Sequence, residues 1–270
     1  MVLPVHDVNP TRRTPVVTYL LIAVNVVAFL LSPVAGHVVG SAAEQQQCRQ
    51  VAFFDQYAAE PREVLRGTQE PQAANGRVGT DAATGERGCE VQSPPPFRKN
   101  PFLSVLTAMF LHGGWLHLLG NMLFLYVFGN NVEDRLGRLR YLAFYLLCGY
   151  VATYGFSLFT PSSTAPLVGA SGAIAGVLGA YLVLYPRAKV WSLLTFLFFL
   201  PVRLPAWLVL GSWFVLQYGY FRGAGLAQGT GVAYGAHVVG FVLGALLVLP
   251  LRGSARPRPL QARYGPYARR

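Results

Sequence analysis

Apolar residues in this chain gather into long runs spread over nearly its whole length, broken by one polar stretch. The first run covers 15–32 (PVVTYLLIAVNVVAFLL over its apolar part), and others lie at about 116–132, 140–159, 170–185, 204–221 and 236–251. A helix that spans a bilayer needs about 20 predominantly apolar residues, and these runs approach that length. The first run follows Arg12 and Arg13, as a signal peptide would, but it is long and lacks a clear small-residue cleavage site. A retained helix is predicted.

Residues 33–100 are different. They are rich in Gln, Pro and Gly and carry seven basic and eight acidic residues, a composition that suits a poorly packed loop. The next segment, PFLSVLTAMFL, spans about half a membrane thickness and ends at Gly113-Gly114, so a short piece dipping into the bilayer edge is predicted there. Prolines split 186–205 (PRAKVWSLLTFLFFLPVRLP) into a basic turn, an interfacial apolar piece and the start of the fifth long helix. The predicted fold is all-α: a polytopic bundle of six transmembrane helices with a long extracytoplasmic loop after helix one. Its divisions are an N-terminus (1–14), a first helix (15–32), the polar insert (33–100), a membrane core (101–251) and a basic tail (252–270).

Composition supports that solvent. Hydrophobic residues make up 53% of the 270 and charged residues only 12%, about half the roughly 25% of a soluble domain. The net charge is +11, yet every acidic residue precedes Arg135, and after Leu251 all charges are arginines. Such a stripe beside an apolar run reads as a flank on anionic lipid rather than a nucleic-acid surface. Arg12 and Arg13, then Arg135, Arg138 and Arg140, then Arg187 and Lys189, then the tail mark alternate loops, whereas 161–167 has no charge. That alternation predicts a multi-pass cell-membrane protein with both termini cytoplasmic and the insert outside. Cys48 and Cys89 share the polar insert; they pair if it meets an oxidising compartment, and spacing does not decide it.

Polar side chains inside such runs are costly and suggest function. Ser171 stands between Gly169 and Gly172 where an apolar run begins (VGASGAIAGVLGAY), so a helix start would aim unpaired N–H groups at it. The competing reading is packing, since Gly172 and Gly176 form a G-x-x-x-G pair. His237 opens AHVVGFVLG, with Gly240 and Gly244 at the same spacing. If the two glycine faces meet, serine and histidine face each other; otherwise His237 bonds to backbone. In HGGWLHLLGN, His117 and Asn121 share a helical face and offer donors for an oxyanion, with His112 nearby. A metal is the alternative there, but H-E-x-x-H is absent and the nearest carboxylates, Glu133 and Asp134, fall at the far end of that run. No acidic residue is placed to orient His237, so a hydrolase would work as a dyad.

In this order HGGWLHLLGN, VEDRLG, GASG and AHVVGFVLG resemble the rhomboid family of intramembrane serine proteases, over about Pro101–Pro250 plus the first helix. The resemblance implies Ser171 as nucleophile and His237 as base. It implies an oxyanion held by His117, Asn121 and the Ser171 N–H, with His112, Gly169 and Gly172 in support. It further implies Glu133, Arg135 and Gly137 as a structural motif, 222–234 with the fifth helix as substrate gate, transmembrane helices as substrates, and no cofactor or metal. Two positions depart from the family: Leu103 and Ser104 replace a Trp-Arg pair, which leaves Trp115 as a candidate anchor for the loop. Ala175 replaces an aromatic residue that stacks on the histidine, which leaves Tyr234 as a candidate substitute. The alternatives are a non-catalytic relative that binds membrane helices and a small transporter, the latter disfavoured by the lack of embedded carboxylates and of a repeat.

Overall fold

The computed structural model describes residues 2–36, 42–80, 85–195, 198–223 and 232–254. The elements run β1 (Val2–Asp7), α1 (Val16–Leu31), α2 (Ala42–Tyr57), α3 (Pro61–Arg66), β2 (Ala73–Thr80), β3 (Arg87–Gln92), α4 (Pro101–Ala108), α5 (Trp115–Leu136), α6 (Arg138–Phe159), α7 (Ser171–Leu184), β4 (Lys189–Leu194), β5 (Leu200–Pro205), α8 (Ala206–Gly223) and α9 (Tyr234–Val248). A 3-10 turn at Leu249–Ser254 follows. All six predicted long helices exist, as α1, α5, α6, α7, α8 and α9. Of these α6, with mean hydropathy 1.5, and Tyr234–Leu251, with 1.9, are long and apolar enough to cross a membrane, while α1 and α7 are shorter apolar helices.

The core lies where α7 threads between its neighbours. Leu178, Ala180 and Tyr181 of α7 are fully buried with Leu125 and Phe128 of α5 and Tyr145 and Cys148 of α6. Small residues set the approach of α7 to α9. A methyl group on Gly240 would lie 2.1 Å from the Gly172 carbonyl oxygen, and one on Gly244 2.0 Å from that of Gly176. The two backbones are therefore in direct contact, as G-x-x-x-G faces allow. On α6, Cys148 and Ala152 press against Gly176 and Gly172, so α7 is clamped from two sides.

At the opposite end, the α5–α6 junction holds α1. Buried Glu133 accepts hydrogen bonds from the Val17 and Thr18 backbone N–H groups (3.0 and 2.8 Å) and from the Thr18 hydroxyl (2.8 Å), which caps an N-terminus that has no capping side chain of its own. Gly137, at φ +79°, makes the sharp turn into α6, and Arg135 donates to the Leu251 carbonyl at 3.0 Å. This gives the VEDRLG motif a structural role.

Two expectations need correction. The chain is not all-α: the run at 186–205 is a hairpin, β4–β5, and β1 pairs antiparallel with β4 to complete a sheet of order β1-β4-β5. Val190 and Ser192 point into the protein, and Pro4, Pro201 and Pro205 fall on the two edge strands, where a missing N–H costs no ladder bond. Buried Asp7 on β1 ties the sheet to the bundle by accepting from Asn131 (2.7 Å) and Tyr181 (2.5 Å). Nor is the insert a poorly packed loop. It forms α2, α3 and the β2–β3 hairpin, and Cys48 and Cys89 are joined by a disulfide.

Candidate active site

Gly169 has φ +119°, a conformation open to glycine and rarely to other residues, and it turns the chain so that α7 begins at Ser171. The Gly169 N–H donates to the Ala108 carbonyl at the end of α4 (2.9 Å), which fixes the loop to its neighbour. Ser171 thus occupies the first turn of α7, where backbone N–H groups have no intrahelical acceptor. On α9, His237 is buried one turn into the helix. The glycine contact between the two helices sets the outcome: His237 Nε2 lies 2.8 Å from Ser171 Oγ.

The other ring nitrogen is also engaged. His237 Nδ1 lies 2.7 Å from Gln217 Oε1 on α8. A carboxamide oxygen only accepts, so Nδ1 carries the proton and Nε2 presents its lone pair to the serine hydroxyl. Trp213, one turn earlier on α8, faces the same ring at 5.8 Å and 32° between planes. Tyr234 meets it edge-on at 6.3 Å, while Ala175 is buried. Trp213 is therefore the nearer aromatic neighbour of the ring, in a tilted arrangement. Sequence reading missed both α8 residues because it searched for a carboxylate behind the histidine; a lone carboxamide four residues after a tryptophan in an apolar run was the available signal.

His117 and Asn121 project from the first turns of α5 toward the same place. A methyl group on Gly169 would fall 2.7 Å from His117 Nε2 and 3.6 Å from Asn121 Nδ2. The Gly113 N–H donates to His117 Nδ1 (3.4 Å), so the proton of that ring sits on Nε2, the nitrogen nearest Gly169. Asn121 Nδ2 donates to His112 Nε2 at 3.0 Å, and His112 is buried against the His117 ring. All five predicted side chains thus gather at one end of the bundle with Gly169 and Gly172. Trp115, the candidate anchor of the adjoining loop, packs its ring edge-on against Phe29 of α1 at 4.8 Å. Asn100 caps α4, and Thr107 donates to the Tyr57 carbonyl at 2.6 Å.

A cavity of about 30 Å³ opens beside Ser171, lined by Met109, Gly149, Thr153, Gly172 and Ala236 among others, with room for a water. A larger cleft of about 470 Å³ lies at the far end, between Arg13, Glu133, Asp134, Arg138 and Arg140, and contains no nucleophile–base pair. Among the described residues no group of three or more His, Cys, Asp or Glu gathers as metal ligands would. The predicted gate at 222–234 lies mostly outside the described residues, as does nearly all of the basic tail.

A mostly helical chain whose apolar helices meet around a paired serine and imidazole fits the class of helical membrane proteins. The rhomboid domain matches residues 99–254, and the chain belongs to the rhomboid family, whose members are generally intramembrane serine proteases. Among its relatives is the mitochondrial RHOMBOID-like protein 6 of Arabidopsis thaliana, 31% identical over 52% of this chain and 47% of that protein. The mitochondrial rhomboid protein 1 of Saccharomyces cerevisiae is 34% identical over 39% of the chain and 30% of its own length. The chloroplastic rhomboid-like protein 11 of A. thaliana is 42% identical over 27% and 25%. The chain spans less than half the length of each of these relatives.

Proposed function

We propose that the protein is an intramembrane serine endopeptidase that cuts other membrane proteins in or near their transmembrane segments. The observation that carries this is the 2.8 Å approach of Ser171 Oγ to His237 Nε2, with the opposite ring nitrogen already occupied by an acceptor. General-base activation of a hydroxyl needs that reach and that tautomer.

In this reading Ser171 Oγ attacks the scissile carbonyl carbon while its proton passes to His237 Nε2. The carbonyl oxygen becomes an oxyanion beside the Ser171 N–H, His117 Nε2–H and Asn121 amide, donors aimed where charge develops. Collapse breaks the C–N bond, and the Nε2 proton goes to the leaving amine. Water then attacks the acyl-serine, gives its proton to His237, and release of the new carboxyl end restores Ser171. His112 holds Asn121 in place, and Gly169 lets His117 approach. The reaction as written uses no metal or cofactor.

The helices α1, α5, α6, α7, α8 and α9 form a six-span bundle, with the insert and the serine end outside and both termini in the cytoplasm. Support for this comes from arginine clustering at the opposite end and from apolar side chains exposed on the outer faces: Leu20 and Val27 on α1, Leu119 on α5, Leu147 on α6, Val215 on α8 and Leu246 on α9. The basic tail rests on anionic lipid, and the substrates are transmembrane helices. The test is cleavage of a transmembrane substrate in liposomes. Ser171→Ala and His237→Ala are each expected to lower kcat by about 10⁴-fold or more. Equal cleavage by wild type and both variants would refute the assignment.

A further inference from the structure

We propose that Gln217 is the positioning residue for His237, an uncharged stand-in for the carboxylate that orients the histidine of a triad; the proposal rests on the protease reading above. Three observations converge. First, Gln217 Oε1 is 2.7 Å from His237 Nδ1 while Nε2 is 2.8 Å from Ser171 Oγ, so serine, imidazole and carboxamide form one continuous chain of hydrogen bonds. Second, Gln217 and Trp213 lie four apart on one face of α8, and both address the same ring. The indole borders the imidazole at 5.8 Å between ring centroids, while the carboxamide fixes the ring's rotation and its tautomer. Third, the stretch of α8 around Gln217 (WLVLGSWFVLQYGYF) is otherwise apolar apart from Ser212 and the hydroxyls of Tyr218 and Tyr220, and its neighbours Val215 and Leu216 are exposed. A carboxamide turned outward there would meet lipid without a partner, so its inward bond to the imidazole is the satisfied arrangement.

The chemistry follows from what an amide oxygen does. It accepts from Nδ1–H in both the neutral ring and the cation, so it holds the tautomer in which Nε2 can take the serine proton. It carries no formal charge and therefore stabilises the imidazolium less than a carboxylate would. This explains how the site functions although no acidic residue follows Asp134. It also places part of the catalytic apparatus on α8, which packs chiefly on α9. Displacement of α8 from the bundle would release the imidazole from its orientation as well as open that side.

The experiment compares wild type, Gln217→Leu, Gln217→Glu and Ser171→Ala in liposomes with one transmembrane substrate, and records kcat, KM and the thermal midpoint of each. Removing the orienting partner of a metal-bound histidine typically costs roughly 10- to 100-fold, and a loss of that order in kcat is expected for Gln217→Leu, with KM unchanged and the midpoint lowered by no more than one buried hydrogen bond accounts for. Gln217→Glu keeps the acceptor and should recover most of the rate. Unchanged kcat in Gln217→Leu overturns the proposal, as does an equal loss in Leu and Glu variants. A wild type no faster than Ser171→Ala overturns the protease reading itself, which separates that failure from failure of the positioning role alone.

Discussion

At Gly240 the absence of one methyl group decides whether two catalytic candidates meet. Its would-be Cβ falls 2.1 Å from the Gly172 carbonyl oxygen, a backbone atom that cannot swing aside. Gly240→Ala should therefore push α9 away from α7, cost about 1–3 kcal/mol of stability as overpacking does, and suppress cleavage. Gly211→Ala is the control, because a Cβ there meets nothing within 4 Å. Thermal midpoints and cleavage rates of the two variants check this; equal behaviour would contradict it. Ser171, His237, His117 and Asn121 were legible because polar groups in apolar runs are conspicuous, and the paired G-x-x-x-G spacings said which helices would touch. Gln217 and Trp213 were not, because α8 is far from α9 in neither sequence nor space yet shares no motif with it. Which of its faces looks at His237 is set by packing alone.

Among the elements, the legible ones were those that local pattern defines. Each long apolar run became a helix, with ends within a few residues of expectation, since a run of that length has one way to satisfy its backbone away from water. The sheet β1-β4-β5 was missed for the opposite reason: Val2 pairs with Leu194, and nothing in either segment alone announces a partner so distant. The insert escaped for a related cause. Its stability comes from the Cys48–Cys89 bond across 41 residues and from buried Lys99, which meets Glu60 at 2.9 Å and Glu63 at 2.6 Å. One ammonium faces two carboxylates, and burial pushes Glu60 up from 4.5 to about 7 against the pull of Lys99. The folded state then holds a proton that the unfolded chain releases near 4.5, so the contribution of Glu60 to stability falls as pH rises through that window and levels off above about 7. Thermal unfolding across this range should show that decline in wild type and a flatter profile in Glu60→Gln. A decline of equal size in the variant would remove Glu60 as its source.

Across the whole molecule the two ends do different work. At one, Glu133, Arg135 and Gly137 lock α1, α5, α6 and the 3-10 turn that follows α9 together through a cap, a turn and a hydrogen bond. At the other, the first turns of α5, α7 and α9 leave their polar side chains facing one another beside a cavity large enough for water. Membership of the rhomboid family follows from the match over 99–254, and the proposed protease chemistry follows from one contact within it. The most direct measurement is covalent: a fluorophosphonate probe applied to the reconstituted protein, with the modified peptide identified by mass spectrometry. The adduct is predicted on Ser171, abolished in Ser171→Ala and strongly reduced in His237→Ala. A wild-type protein that takes no label, or one labelled equally in all three forms, would contradict the account.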